Sequence, residues 1–238
     1  MFRGPILSAL CVVVTALAAI PMGGQAEAQS TWTRIRHEKG IEVFRKEIKG
    51  QEMPMFRGRA VVAADLYTVL AVLSDFDRHT EWMHGCYDAK LLKEFDDFNR
   101  LSYNRADAPW PVADRDVVLR SKVVVDRDKK RITIHFKGVK SPLMPEVEDV
   151  VRMKRLKGYY QLTALGPNRT RVQYQVNSDP GGSLPTWLAA KASEEIPLNT
   201  LHGLRKRLKA VVGGSQYDAF IRRWNPAFNP DSPGPKLE

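Results

Sequence analysis

Between Tyr87 and Asn177 the chain carries seven short segments, 89–95, 100–103, 116–125, 131–137, 147–156, 159–165 and 171–176, that are rich in β-branched or aromatic residues. Several alternate with a period of two. Val117, Leu119, Ser121 and Val123 are interleaved with Asp116, Val118, Arg120 and Lys122, and Ile132, Ile134 and Phe136 with Thr133, His135 and Lys137. Side chains on a strand point to alternate faces, so this pattern predicts an antiparallel sheet with one dry and one wet face. An opening hairpin is expected over 41–48 and 56–62, with Gly50 and Pro54 between its strands. Asp65 is placed to cap a helix running to about Ser74, in which Leu66, Val69, Leu70 and Leu73 recur at helical spacing.

A dry sheet face needs a cover, and the sequence supplies one. After the turn Ser178-Asp179-Pro180-Gly181-Gly182, a long helix is expected, with Ser183 as its cap and Pro185 in its first turn. Leu201, Leu204, Leu208 and Val211 form its apolar stripe, and Arg205, Lys206, Arg207 and Lys209 read as a solvated face. Pro197 removes a backbone donor and should bend the rod. The fold class is α+β. At the other end, Arg3, a fifteen-residue largely apolar run from Ile6 to Ile20, then Pro21 and Ala26-Glu27-Ala28 have the layout of a secretory signal cut after Ala28. Fifteen helical residues cover about 22 Å of a hydrocarbon core about 30 Å thick, too little for a span. The domain reading is therefore a signal peptide over 1–28, one domain over 29–212 and a proline-containing tail over 213–238. Export implies a periplasmic location in a Gram-negative host and secretion otherwise. Cys11 leaves with the signal, so Cys86 has no partner for a bridge and the fold must stand on packing. The net charge of +10 favours anionic partners. In an exported protein these are lipid headgroups rather than nucleic acid.

Four stretches carry a resemblance to the START lipid-transfer domains: Gly40-Ile41-Glu42-Val43-Phe44-Arg45; Ser74-Asp75-Phe76 through Arg78 to Trp82; Pro109-Trp110-Pro111 through Arg115-Asp116; and Asp179-Pro180-Gly181-Gly182 through Trp187-Leu188, followed by Pro197 and Leu204. In this order the chain is most similar to the phosphatidylcholine transfer branch. The resemblance implies a helix-grip fold, a curved antiparallel sheet wrapped around the last helix, with an internal cavity for one sterol, phospholipid or sphingolipid. It implies an arginine anchor for a lipid phosphate at Arg78, before Trp82. The positions of that branch's choline cage fall on Asn104, Val117 and Leu156, none aromatic, which argues against choline recognition. The acid and arginine of the family's sterol carriers fall on Ser102 and Ser121. The resemblance also implies that the loop over 138–145 and the last helix form the gate.

The candidate cavity wall is Val117, Leu119, Val123, Ile132, Ile134 and Phe136 with Leu201 and Leu204 on the helix; these residues could equally pack on one another. Trp110, between two prolines, is placed either at the mouth or as a staple at a sheet edge. Arg78 anchors an anion or pairs with Asp75, Asp77 or Glu81. Val139, Leu143 and Met144 could dip into a bilayer with Lys137 and Lys140 at the headgroups, or the loop could fold on its own domain. His79, His84 and Cys86 lack the spacing of a metal site, so neither a metal nor another cofactor is expected. The expected function is a monomeric, non-catalytic lipid carrier touching an anionic membrane surface. The alternatives are a helix-grip enzyme acting on an apolar substrate, which would place titratable groups in the cavity, and a basic adaptor with no ligand.

Overall fold

A computed structural model describes residues 31–108, 112–182 and 184–226. The expected hairpin is formed by β2 (Ile41–Lys46) and β3 (Met55–Val62), and an edge strand not foreseen, β1 (Thr33–Glu38), pairs with β2. In β1 only Ile35 is a large apolar residue among TRIRHE, so no alternation marks it. Helix α1 (Leu66–Ser74) begins where expected. The Asp65 carboxylate accepts from the backbone N–H groups of Tyr67 and Thr68, satisfying two donors that a helix start leaves free. A 3-10 helix, Phe76–Glu81, follows.

The remaining strands are β4 (Cys86–Glu94), β5 (Asn99–Ala106), β6 (Asp114–Asp126), β7 (Arg131–Gly138), β8 (Val150–Arg152), β9 (Arg155–Gly166) and β10 (Arg169–Asp179). Nine of the ten strands lie in the order β1-β2-β3-β10-β9-β7-β6-β5-β4, antiparallel throughout, and β8 adds parallel to β6. The strand expected over 147–156 is thus split between short β8 and the start of β9.

Helix α2 (Thr186–Val211) covers the β2-β3-β10 side of the sheet and continues through Pro197. Its cap is Pro185 itself, whose carbonyl accepts from Leu188 and Ala189; Ser183, the expected cap, lies outside the described residues. The approach is set by Asp179 and the glycines after it. The Asp179 carboxylate accepts from the Gly181 N–H, and Gly181 and Gly182 take φ of 65° and 73°, a left-handed conformation that side chains disfavour. The helix sits tightly because Gly58 has no side chain: a Cβ there would meet Leu201 Cδ1 at 2.7 Å and Pro197 Cβ at 3.0 Å. The stripe Leu201, Leu204, Leu208 and Val211 is buried in the main core, as expected.

Two of the helix cations are not solvated. Arg205 donates to the carbonyls of Val61, Lys39 and Gly40, tying α2 to the first two hairpins. Arg207 pairs with Glu81 at 2.7 Å and donates to the Tyr217 hydroxyl. The segment beyond Gly213, read as a partly ordered tail, contains helix α3 (Asp218–Trp224). Trp224 is buried edge-on to Phe98, and Tyr217 donates to Asp75 at 2.8 Å, so α3 closes the far side of α1. Among the described residues no helix is long and apolar enough to cross a membrane.

Candidate functional site

The inward faces of β5, β6, β7, β9 and β10 and the segment from Leu73 to Met83 line a cavity of about 100 Å3. Alternation builds this wall. On β6, Val117, Leu119, Ser121 and Val123 face in, and on β7 Ile134 and Phe136 do so. Ser102 and Asn104 face in from β5, Leu156 and Tyr160 from β9 and Tyr174 from β10. The segment after α1 supplies Phe76, His79 and Met83.

Seven of the twelve ligand-contact residues expected from sequence, Ser102, Asn104, Val117, Leu119, Ser121, Ile134 and Phe136, therefore meet at one cavity, as does Leu156. Four do not reach it. Arg78 is half exposed and held by Asp75 at 3.4 Å and Glu81 at 2.9 Å, the outcome usual for an arginine among carboxylates. Trp82 is buried in the main core, edge-on to His79 with ring centroids 5.3 Å apart. Leu201 and Leu204 are fully buried in that core, where α2 lies over Gly58, and do not line the cavity. Ile132 likewise is core. Trp110 lies outside the described residues.

The expected gate is also redrawn. Val139 and Met144 fold back on a second apolar cluster, Leu101, Tyr103 and Val118, on the outer face of the sheet. Of the three gate residues only Leu143 is exposed, at 53%. The loop is pinned there by a buried ion pair: Arg152 donates to Asp116 Oδ1 at 2.6 Å and Oδ2 at 3.0 Å, and also to the carbonyl of Pro145. Burial and the adjacent Asp116 raise the pKa of the Tyr103 hydroxyl, which stays protonated and donates to the same carboxylate at 3.2 Å.

Sequence reasoning missed the aromatic side of the cavity. Tyr160 and Tyr174 stack with centroids 4.3 Å apart and planes 6° from parallel, and Phe136 leans on both. The signal was available, since Tyr160 and Leu162 alternate, as do Val172, Tyr174 and Val176. At the polar side, His79 is buried and its Nε2 donates to the Leu73 carbonyl at 3.2 Å; burial lowers its pKa to about 4, so the ring is neutral. Asn104 Nδ2 lies 3.5 Å from both His79 Nδ1 and Cys86 Sγ. Burial pushes the Cys86 thiol up, which keeps it from the thiolate form a nucleophile needs. Arg100, buried at one end, pairs with Glu94 at 2.9 Å. Among the described residues no three His, Cys, Asp or Glu side chains are grouped to hold a metal.

The profile of the START domain matches residues 16–212, most of the chain. The chain belongs to the START family. An uncharacterized protein of Pseudomonas aeruginosa is 34% identical over 196 residues, which cover 82% of this chain and 95% of that protein. The phosphatidylcholine transfer protein of mouse is 27% identical, over 74% of this chain and 82% of its own length. Among solved structures, a STAR-related lipid transfer protein from Xanthomonas axonopodis is 31% identical, covers 75% of this chain and superposes with a TM-score of 0.69. The START fold is the α+β sheet-and-helix arrangement described above, and the match begins inside the apolar segment read as a signal.

Proposed function

We propose that this START protein is a non-catalytic carrier that holds one lipid molecule in the cavity between β5-β6-β7-β9-β10 and the segment after α1, and moves it between membranes. The observation that carries this reading is the lining itself: inward side chains of five strands that leave space and are mostly apolar, where a packed sheet face would leave none. A lipid leaves a bilayer slowly because each exposed methylene costs about 0.8 kcal/mol. A wall of Val, Leu, Ile and Phe side chains offsets that cost. At about 100 Å3 the cavity is smaller than the roughly 300 Å3 at which ligand pockets begin. The loaded form is therefore more open than this one, with the Phe136, Tyr160 and Tyr174 rings or the 76–83 segment displaced. Native mass spectrometry of gently purified protein is expected to show one lipid per chain; protein free of lipid that also fails to take up any from vesicles would overturn the reading.

Entry through the end of the molecule where the 138–149 loop and the start of α2 meet is supported by exposed apolar side chains, Leu143 at 53% and Trp187 at 69%. Gly181 and Gly182, just before α2, lie against Val151, just after that loop. Peripheral contact with an anionic leaflet is supported by the outer sheet face, where Arg120, Lys137 and Lys157 stand directly opposite one another on β6, β7 and β9. Like charges so placed are unfavourable within the fold and favour an anionic partner. Leu143→Asp with Trp187→Asp is expected to slow lipid transfer between anionic vesicles at least tenfold with an unchanged melting temperature. Unchanged transfer would exclude this end as the membrane contact. Met144 is left alone in that variant because it stabilises the outer cluster.

Export before loading is part of the same proposal, on the strength of the N-terminal charge, apolar run and Ala26-Glu27-Ala28. The enzymatic alternative rests on His79 and Asn104 at the cavity wall, with Cys86 beside Asn104. The neutral imidazole with its Nε2 proton committed to Leu73, and the protonated thiol, argue for a structural role instead.

A further inference from the structure

The outer face of the sheet carries a second cationic cluster, away from the one assigned above to a leaflet. Arg171 on β10 and Arg131 on β7 both stand directly opposite Thr163 of β9, one on either side, so two strand spacings, about 10 Å, separate them. Arg59 on β3 is opposite Gln173, two residues along β10 from Arg171. The three arginines line an open groove with Gln161, Thr163 and Gln173 on its floor. Both carboxylates that the register brings beside them are engaged elsewhere. Glu42, opposite Arg59, takes Arg34 at 3.1 Å, and Asp126, opposite Arg131, takes Lys129 at 3.2 Å. Arg59 is left with Gln173 Oε1 at 3.3 Å and the face of Phe44, and Arg131 Nε is buried with no hydrogen-bond partner.

Like charges on neighbouring strands, and a buried guanidinium nitrogen without an acceptor, are unfavourable within the fold until an anion joins them. A planar guanidinium offers paired N–H donors that match two oxygens of a phosphate. One carboxylate cannot answer three such forks spread over four strands; an anion with several oxygens and at least two negative charges can. The groove is also remote from the bilayer contact. Arg131 opens β7 and Lys137 lies six residues on, beside the 138–149 loop, so about 20 Å of strand separates the two clusters, more than twice the screening length of about 8 Å at physiological salt. We propose that Arg59, Arg131 and Arg171 form a binding site for a doubly charged phosphate group, distinct from the lipid cavity and from the surface that meets a bilayer at the Leu143 end.

Pyrophosphate titrated calorimetrically into the full-length protein is expected to bind once per chain, with a dissociation constant below about 1 mM at about 0.1 M salt. Arg131→Gln with Arg171→Gln should weaken this binding about tenfold or more, and Arg171→Gln alone, at an exposed position, about threefold. Lys137→Gln with Lys157→Gln, at the other end of the face, should leave it unchanged. Flotation with phosphatidylcholine vesicles that contain phosphatidate then tells where the phosphate comes from. A loss of retention of about threefold or more in the double arginine variant identifies a lipid headgroup; undiminished retention identifies a soluble phosphate compound. The absence of saturable pyrophosphate binding overturns the site, as does equal weakening by the arginine and lysine pairs, and either result leaves the carrier reading standing.

Discussion

Replacing Asp116 with alanine is expected to cost about 3–5 kcal/mol of folding stability, the penalty typical of removing one partner from a buried ion pair. Asp116 is 1% exposed and accepts three hydrogen bonds, two from Arg152 and one from Tyr103. Without it, the Arg152 guanidinium keeps only carbonyl partners at Met144 and Pro145, and the buried Tyr103 hydroxyl loses its acceptor. The damage should be local as well as global. Strand β8 is held to β6 by three residue pairs, one of them Asp116 with Arg152, and by the Met153 N–H donating to the Asp116 carbonyl. Urea unfolding should report the loss, and limited proteolysis of the native protein should begin to cut within 139–149. Asp116→Asn, which keeps an acceptor but not the charge, should lose less. A stability change under about 1 kcal/mol for the alanine variant would show that the pair does not hold the loop.

The second large effect is on acid stability. His79 titrates near 6.5 when unfolded and at about 4 when folded, because burial disfavours the imidazolium. Between those values the unfolded chain binds the extra proton and the native one does not. The contribution is therefore fully present above pH 6.5 and is lost as the pH falls toward 4, at about 1.4 kcal/mol per unit, or about 3 kcal/mol in all. The Nε2 proton is committed to the Leu73 carbonyl, so a second proton must enter at Nδ1, which faces the Asn104 amide group; nearby Asp77 offsets this only in part. His79→Gln is less stable at pH 7, yet its stability should fall by about 3 kcal/mol less than the wild type's on going from pH 7 to pH 4. Equal falls in the two proteins would mean that other groups govern acid unfolding.

How much of this was legible in the sequence differs from element to element, for physical reasons. Strands with one face in the core, such as β6 and β7, announce themselves by alternation, and their inward residues proved to be cavity residues. Helix α1 was legible from Asp65 because a cap is a local interaction. The outer cluster was harder: Leu101, Tyr103 and Val118 occupy positions that alternation assigns to water, and only the returning loop covers them. Arg205 and Arg207 look solvated in one dimension because their acceptors, at Lys39, Gly40, Val61 and Glu81, lie more than a hundred residues away. Arg78 matched a family position by order alone, and its neighbours Asp75 and Glu81 claimed it. The edge strand β1 carries too few apolar residues to stand out, and helix α3, Asp218–Trp224, is too short for its apolar residues to repeat at helical spacing.

The strand order has a consequence for synthesis. Strand β3 hydrogen-bonds to β10, and Val62 faces Thr170 across that seam, so the first three strands stay separate from the other seven until the chain beyond Asp179 has emerged. The α2 contacts that lock the seam come later still, through Arg205 and its carbonyls. A polypeptide made N-terminus first can pair β1-β2-β3 and β4-β5-β6-β7 as they emerge but cannot close the seam between them early, and such long-range closure is slow. The nascent protein thus leaves its sheet in two separate parts until nearly its whole length is free.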